Sequence, residues 1–349
     1  MKIGILTFHY CKNYGAYLQA FALKSYIENL GNDVFFVNYK INSLLRRYNL
    51  FPYYKEKRLI SNIKFNVYVI FKIKSRLLRI NRFNLFAKKY FKEKDIKAKA
   101  DADLIIIGSD QVWNPKLTYG YDEVYYGILA EKYKIPHCTY AVSCPASLFK
   151  LDIKKYLSNF IRLGVREEEL QLKLKDLFHI NSYINIDPTL LFTDTFYLKL
   201  IKNRDVLKQK YLLSYNLMFN ADLSEYSKTF ATEQDLLCVD MQSNVFRTAG
   251  PIEFLSLIKN AEYVVSSSFH GTVFSILFHK KFMCFLSGDE RDERIKSLLK
   301  SLGLEQCIYS KTNVCFPVID WNSVDENLER MRKESKQYIT DIFKTLHKY

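Results

Sequence analysis

Tyr263-Val264-Val265-Ser266-Ser267-Ser268-Phe269-His270-Gly271-Thr272-Val273-Phe274-Ser275-Ile276-Leu277-Phe278 reads as a strand, a loop and a helix. A β-branched run reaches small polar residues, then an aromatic residue, a histidine and a glycine, and an apolar run of helical character follows. In an open α/β sheet such a loop lies at the carboxyl edge of the strands, where ligands bind, and the first N–H groups of the next helix face it. His270 stands at that junction, and histidine is the side chain that titrates near neutrality. Around it, Ser266, Ser267, Ser268 and Thr272 offer uncharged hydroxyls, and Gly271 leaves room for a ligand to approach the backbone. The plainer alternative is a structural histidine.

The same strand-then-loop pattern recurs in both directions. Residues 211–215, 236–239 and 282–286 are strand-like, with helices between them, one of which has Pro251 at its start. After the last strand a charged loop carries Arg291 and Arg294 into a helix ending near Gly303, and an amphipathic helix runs from about Ser323. Toward the N-terminus, residues 2–8 form a buried-strand pattern followed by His9 and by a turn containing Asn13 and Gly15, then a helix up to Gly31 and a strand at 33–37. Residues 103–107 run into Gly108-Ser109-Asp110-Gln111-Val112-Trp113-Asn114-Pro115, which reads either as a polar sugar site floored by an indole or as a buried turn capped by Asp110. Strand-like runs at 138–142, 161–165 and 183–186 complete this half. The second of them delivers Arg166 at its end, able to clamp a phosphate or carboxylate in a bidentate manner, or else to pair with Glu169 or Asp187.

These runs predict an α/β protein of two Rossmann-like lobes, 1–195 and 196–349, the second closing in the amphipathic helix. A chain of 349 residues suits about two domains, and 48% hydrophobic with 26% charged residues is ordinary globular composition. The apolar runs fall far short of the ~20 residues a spanning helix needs, and Met1 leads straight into a strand, so a cytoplasmic protein is expected. The seven cysteines show no C-x-x-C pair and no zinc-like spacing; they read as reduced, mostly buried thiols, and no metal is expected.

Charge is concentrated. Residues 40–99 hold 18 Lys plus Arg against three acids, the whole net charge of +15, while the rest of the chain balances. This basic segment is expected to be a helical insertion in the first lobe, with Ile63, Val67, Ile70, Phe71, Lys74, Leu77 and Leu78 covering a core and Lys72, Arg76, Arg79 and Arg82 turned outward. It is either a solvated face or an attachment to an anionic membrane surface. Nucleic acid is not expected, because no recognised binding module accompanies the charge.

Five stretches taken in order, Asn13-Tyr14-Gly15-Ala16, residues 107–115 as quoted from Gly108, Val165-Arg166-Glu167-Glu168, Asp187-Pro188-Thr189 and Ser268-Phe269-His270-Gly271-Thr272, resemble the polysaccharide pyruvyl transferase family. The resemblance spans roughly residues 1 to 305. It implies a fold similar to the GT-B glycosyltransferases, with the active site in the cleft between lobes. It also implies transfer of the enolpyruvyl unit of phosphoenolpyruvate to two hydroxyls of one sugar, in a polysaccharide such as capsule or exopolysaccharide or in its lipid-linked precursor, without a further cofactor. His270 matches the family's histidine and Arg166 its first arginine, as the catalytic pair. Asn13, Gly15, Ser109, Asp110, Gln111, Trp113, Asp187, Ser267, Ser268, Gly271 and Thr272 fall in the matching stretches and are expected to bind substrate. Many members place an arginine two residues before the histidine; here that position is Ser268, and Arg294, Arg291 and Arg247 are the cations available instead. The competing readings are a glycosyltransferase of the same fold using a nucleotide sugar, and a non-catalytic membrane- or nucleic-acid-binding protein. The last leaves the recurring polar loops unexplained.

Overall fold

The computed structural model describes residues 1–55, 57–149, 153–201, 207–217, 219–243 and 246–346, with Tyr68 described through its backbone only. The chain forms two compact units. The first comprises Met1–Lys55, Ala87–Leu191 and Glu329–Tyr349, the second Glu56–Phe86 and Phe192–Leu328.

In the first unit, strands β1 (Lys2–Leu6), β2 (Asp33–Val37), β3 (Glu93–Lys94), β4 (Leu104–Ile107) and β5 (His137–Thr139) form a parallel sheet in the order β3-β2-β1-β4-β5. β4 is buried along its whole length, as a central parallel strand covered on both faces must be. Parallel bridges Asp110–Val142 and Val142–Val165 carry the ladder on to β6 (Gly164–Val165) and β7 (Tyr183–Ile184). The helix Tyr14–Asn29 follows β1; Asn13 caps its start, and Gly31 accepts the left-handed conformation beyond its end. The strand β3 has no signature in the sequence, being two charged residues on a sheet edge.

In the second unit, β8 (Tyr211–Tyr215), β9 (Leu237–Asp240), β10 (Tyr263–Ser266) and β11 (Lys281–Cys284) form a second parallel sheet in the order β11-β10-β8-β9. Helices Ala221–Glu233, Pro251–Asn260 and Phe269–Leu277 connect successive strands.

The expected division at 195/196 groups the chain differently from these contacts. The basic helices Leu59–Phe71 and Ile73–Tyr90 lie for the most part in the second unit, because Arg82 Nη1 donates to the Thr248 carbonyl (3.0 Å) and Arg79 Nη1 to that of Ala249 (3.2 Å), while Val69, Phe83 and Phe86 are buried. The C-terminal end of the helix Trp321–Leu346 belongs to the first unit. There Arg332 Nε donates to the Leu190 carbonyl (2.8 Å), the Ser335 hydroxyl accepts from the Ile186 N–H (3.0 Å), and the Tyr338 hydroxyl donates to the Thr139 carbonyl (2.8 Å). The apolar stripe expected to cover a core is also reversed: Ile63, Val67, Ile70, Phe71, Leu77 and Leu78 are exposed, and it is Arg79 and Arg82 that turn inward to carbonyl partners.

Each sheet has a switch point, where the strand order reverses and the connecting loops part to leave a crevice at the carboxyl edge. In the first unit it lies between β1 and β4, in the second between β8 and β10.

Candidate active site

At the switch point of the first unit, a chain of hydrogen bonds runs along the carboxyl edge of the sheet. Gln19 Nε2 donates to Thr7 Oγ1 (3.0 Å), Thr7 Oγ1 donates to the Ser109 carbonyl (2.9 Å), and Ser109 Oγ accepts from Arg166 Nη2 while donating to the Ala141 carbonyl (3.2 Å). The same Nη2 lies 2.9 Å from Asp187 Oδ2, and Asp187 Oδ1 accepts from Thr189 N–H (2.9 Å) and Thr189 Oγ1 (2.6 Å). Both charges are buried, Arg166 at 7% exposure and Asp187 at 2%. A charge taken this far from water must be paired; the two groups form an ion pair, and their hydrogen bonds go to other partners, the arginine's to Ser109 and the carboxylate's to Thr189. The arginine therefore makes the structural pairing that the sequence left open, with Asp187 and not with Glu169, at the carboxyl edge of the sheet. Beside it, Ser143 Oγ donates to Glu167 Oε1 (2.6 Å), an interaction with no signal in the sequence.

The other candidates on this edge divide between scaffold and site. Asn13 Oδ1 accepts from the N–H groups of Gly15 (2.9 Å) and Ala16 (3.4 Å), so it is the helix cap. Asp110, at φ 73°, accepts from Gln111 N–H (2.8 Å) and lies beside Cys11, whose thiol is pushed well up by burial and by that carboxylate. Gln111 is buried at 4% exposure; its Oε1 accepts from Asn114 (3.3 Å), and its Nε2 has no hydrogen-bond partner among the described residues. Trp113 is not a platform for a sugar. Its indole is 1% exposed, donates to the Tyr125 carbonyl (2.8 Å) and stacks on Tyr126 at 5.0 Å between ring centres, so it is core. An aromatic next to polar loop residues gives the same sequence signal whether it floors a site or anchors the loop from below.

His9, the second histidine of interest, is fixed on both ring nitrogens. Nδ1 lies 3.1 Å from the Thr7 carbonyl and Nε2 lies 3.1 Å from Glu93 Oε1, with Phe36 stacked on the ring at 4.8 Å. The bond from His9, with help from Lys40, holds the Glu93 carboxyl down at about 2. This arrangement ties the edge strand β3 to the loop after β1.

At the switch point of the second unit the three serines build the turn. Ser267 Oγ accepts from Leu217 N–H (3.0 Å) and so joins the loops after β8 and β10; Ser266 Oγ accepts from Ser268 N–H (3.0 Å); Ser268 Oγ caps Gly271 N–H (3.4 Å). Thr272 Oγ1 donates to the Ser268 carbonyl (3.1 Å). His270 is the second residue of the nine-residue helix Phe269–Leu277, at 7% exposure, with its ring edge-on to Phe269 at 5.1 Å. The Arg294 guanidinium lies over that same Phe269 ring, 5.2 Å from its centre. Of the three cations available for the charge missing at Ser268, Arg294 is thus the one placed on His270's neighbour. Arg291 is engaged by Asp289, with Nε at 2.8 and 3.0 Å from the two carboxylate oxygens, and Arg247 lies in the short turn Phe246–Thr248.

Gly271 serves packing, which differs from the ligand approach expected of it. A methyl group there would lie 2.2 Å from Ser266 Oγ and 3.1 Å from Tyr215 Cδ1, so the glycine lets the helix start press against β8 and β10. Gly271→Ala is expected to destabilise the protein by about 1–3 kcal/mol, the usual effect of overpacking. Denaturant unfolding of this variant against the wild type measures the effect.

Among the described residues no group of three or more His, Cys, Asp or Glu side chains could hold a metal ion. The seven cysteines form no disulfide; five are buried and Cys315 is exposed.

Two parallel-sheet units, each with polar loops at a switch point, define the architecture of the GT-B-type enzymes. In agreement, the chain matches a crystal structure described as a UDP-N-acetylglucosamine 2-epimerase of Listeria monocytogenes with a TM-score of 0.53 and 10% identity, covering 99% of this chain and 96% of that one. The Staphylococcus aureus MnaA–UDP structure (TM-score 0.49, 11% identity, 96% and 90% covered) and Arabidopsis thaliana UGT89C1 (TM-score 0.49, 9% identity, 97% and 98% covered) are similar as well. No curated protein matches the sequence. The chain belongs to the polysaccharide pyruvyl transferase family, whose sequence model matches residues 13–289, more than half its length.

Proposed function

We propose that this family member transfers pyruvate from phosphoenolpyruvate to a sugar of a polysaccharide or of its lipid-linked precursor, closing a cyclic ketal. Two hydroxyls of one sugar form two new C–O bonds to the enol carbon, and the C–O bond to phosphate breaks. One hydroxyl proton is balanced by protonation of the methylene carbon to a methyl group; the other leaves with the phosphate. The donor therefore needs cationic and hydrogen-bonding groups for its phosphate and carboxylate, and an acid that can protonate carbon.

The observation that supports this reading best is the buried Arg166, oriented by Asp187 and Ser109 at the carboxyl edge of its sheet. A guanidinium fixed in one orientation is suited to a planar carboxylate or a phosphate. His270 at a helix start is the candidate proton donor or acceptor, and Arg294 supplies the positive charge that other members carry at the position of Ser268. The reaction belongs in the cytoplasm, where this donor and nucleotide- or lipid-linked sugar precursors are available.

The test is incubation with phosphoenolpyruvate and a panel of synthetic and lipid-linked glycosides, read by mass spectrometry. The expected product carries pyruvate less one water, with phosphate released in equal amount. Failure to form any ketal, together with glycoside formation from a nucleotide sugar under the same conditions, overturns the reading.

A further inference from the structure

We propose that the helices Leu59–Phe71 and Ile73–Tyr90 dock the protein on an anionic lipid surface, with the apolar stripe of the first helix entering the headgroup layer. This does not depend on the chemistry above. At about 100° per residue, Leu59, Ile60, Ile63, Val67, Ile70 and Phe71 fall within one arc of about 120°. All six are at least half exposed, Phe71 at 80%. The buried face of this helix, with Asn62 and Val69, is a different one. A water-facing arc this wide and this continuously aliphatic is an interaction surface, since scattered exposed apolar residues do not align.

The surroundings specify what covers it. Residues 56–86 hold eight Lys plus Arg against Glu56 alone. Lys64 borders the stripe, and the exposed face of the next helix mixes Lys74, Leu77, Leu78, Leu85, Lys88 and Lys89. Apolar residues flanked by lysines match the two layers of a membrane interface, acyl chains below and anionic headgroups above. A second copy of the chain would oppose these cations with the same cations. Single-stranded nucleic acid binds through aromatic stacking, and five of the six stripe residues are aliphatic. Arg79 and Arg82 are excluded from this role because they hold the helix to the carbonyls of Ala249 and Thr248.

The experiment is co-flotation of the full chain with vesicles of phosphatidylcholine alone or mixed with phosphatidylglycerol. The wild type should float with the mixed vesicles and only weakly with the neutral ones. Ile63→Ser/Val67→Ser/Ile70→Ser, all at exposed positions, should lose at least tenfold in partitioning without a change in melting temperature. Lys64→Gln/Lys74→Gln/Lys88→Gln/Lys89→Gln should lose on the order of a thousandfold on the anionic vesicles, with a shallower salt dependence. Absence of wild-type flotation, equal flotation on both compositions, or binding unchanged by either set of substitutions overturns the proposal. So does a concentration-dependent dimer that the serine variant converts to monomer.

Discussion

His270→Ala is expected to lower kcat by about 10²–10⁴-fold, the usual loss when a general acid or base is removed, with little change in the KM for phosphoenolpyruvate. The ring is 7% exposed, on the first turn of a helix whose start is fixed by Ser268 and whose loop is joined to β8 through Ser267 and Leu217. Such a position holds the imidazole in one place. Donor affinity should persist, since it is assigned to arginine. His270→Gln separates the two uses of the ring, because glutamine donates a hydrogen bond and does not titrate; it should be nearly as slow as the alanine variant. Turnover near that of the wild type in both variants, with unchanged melting temperatures, would make His270 structural. His9 could not then take over without giving up its bonds to Thr7 and Glu93.

What the sequence disclosed and what it hid follow from the range of the signals. Buried parallel strands are continuous apolar runs, so those at 2–6, 104–107 and 211–215 stand out; β3, two charged residues on an edge, carries no such pattern. Helical periodicity shows that residues 59–71 have an apolar face, but it does not say whether that face meets a core or water. Only the long-range bonds of Arg79 and Arg82 decide this, and they lie 170 and 166 residues along the chain from their partners. The same limit explains Trp113. Residue type and neighbours place it in a polar loop, whereas the partner of its indole N–H, the Tyr125 carbonyl, becomes visible only when the chain has folded. Arg166 directly follows β6 and His270 opens the helix after the turn that ends β10, so the order of elements read from the sequence fixes the sheet edge each occupies.

Arg166→Lys is expected to lower kcat/KM for phosphoenolpyruvate by about 10–100-fold, with most of the change in KM, corresponding to the loss of one or two hydrogen bonds to a charged ligand. An ammonium keeps the charge yet has no planar fork, so it cannot hold Asp187 and Ser109 and also present aligned N–H groups to a carboxylate or phosphate. The substitution also loosens a buried ion pair, and breaking such a pair outright costs about 3–5 kcal/mol, so some loss of melting temperature is expected whatever the arginine binds. Asp187→Asn provides the control. It weakens the same pair and the cap on Thr189 while leaving the guanidinium in place. If Arg166 only braces the fold, both variants should melt lower and turn over normally in whatever fraction remains folded. If it holds the donor, Arg166→Lys should raise the KM for phosphoenolpyruvate and weaken competitive inhibition by inorganic phosphate in the same proportion, and Asp187→Asn should do so less. Equal KM values and equal phosphate inhibition across the wild type and both variants would assign the arginine to structure alone, and the donor's phosphate would then have to be held by other cations, with Arg294 the first to be substituted.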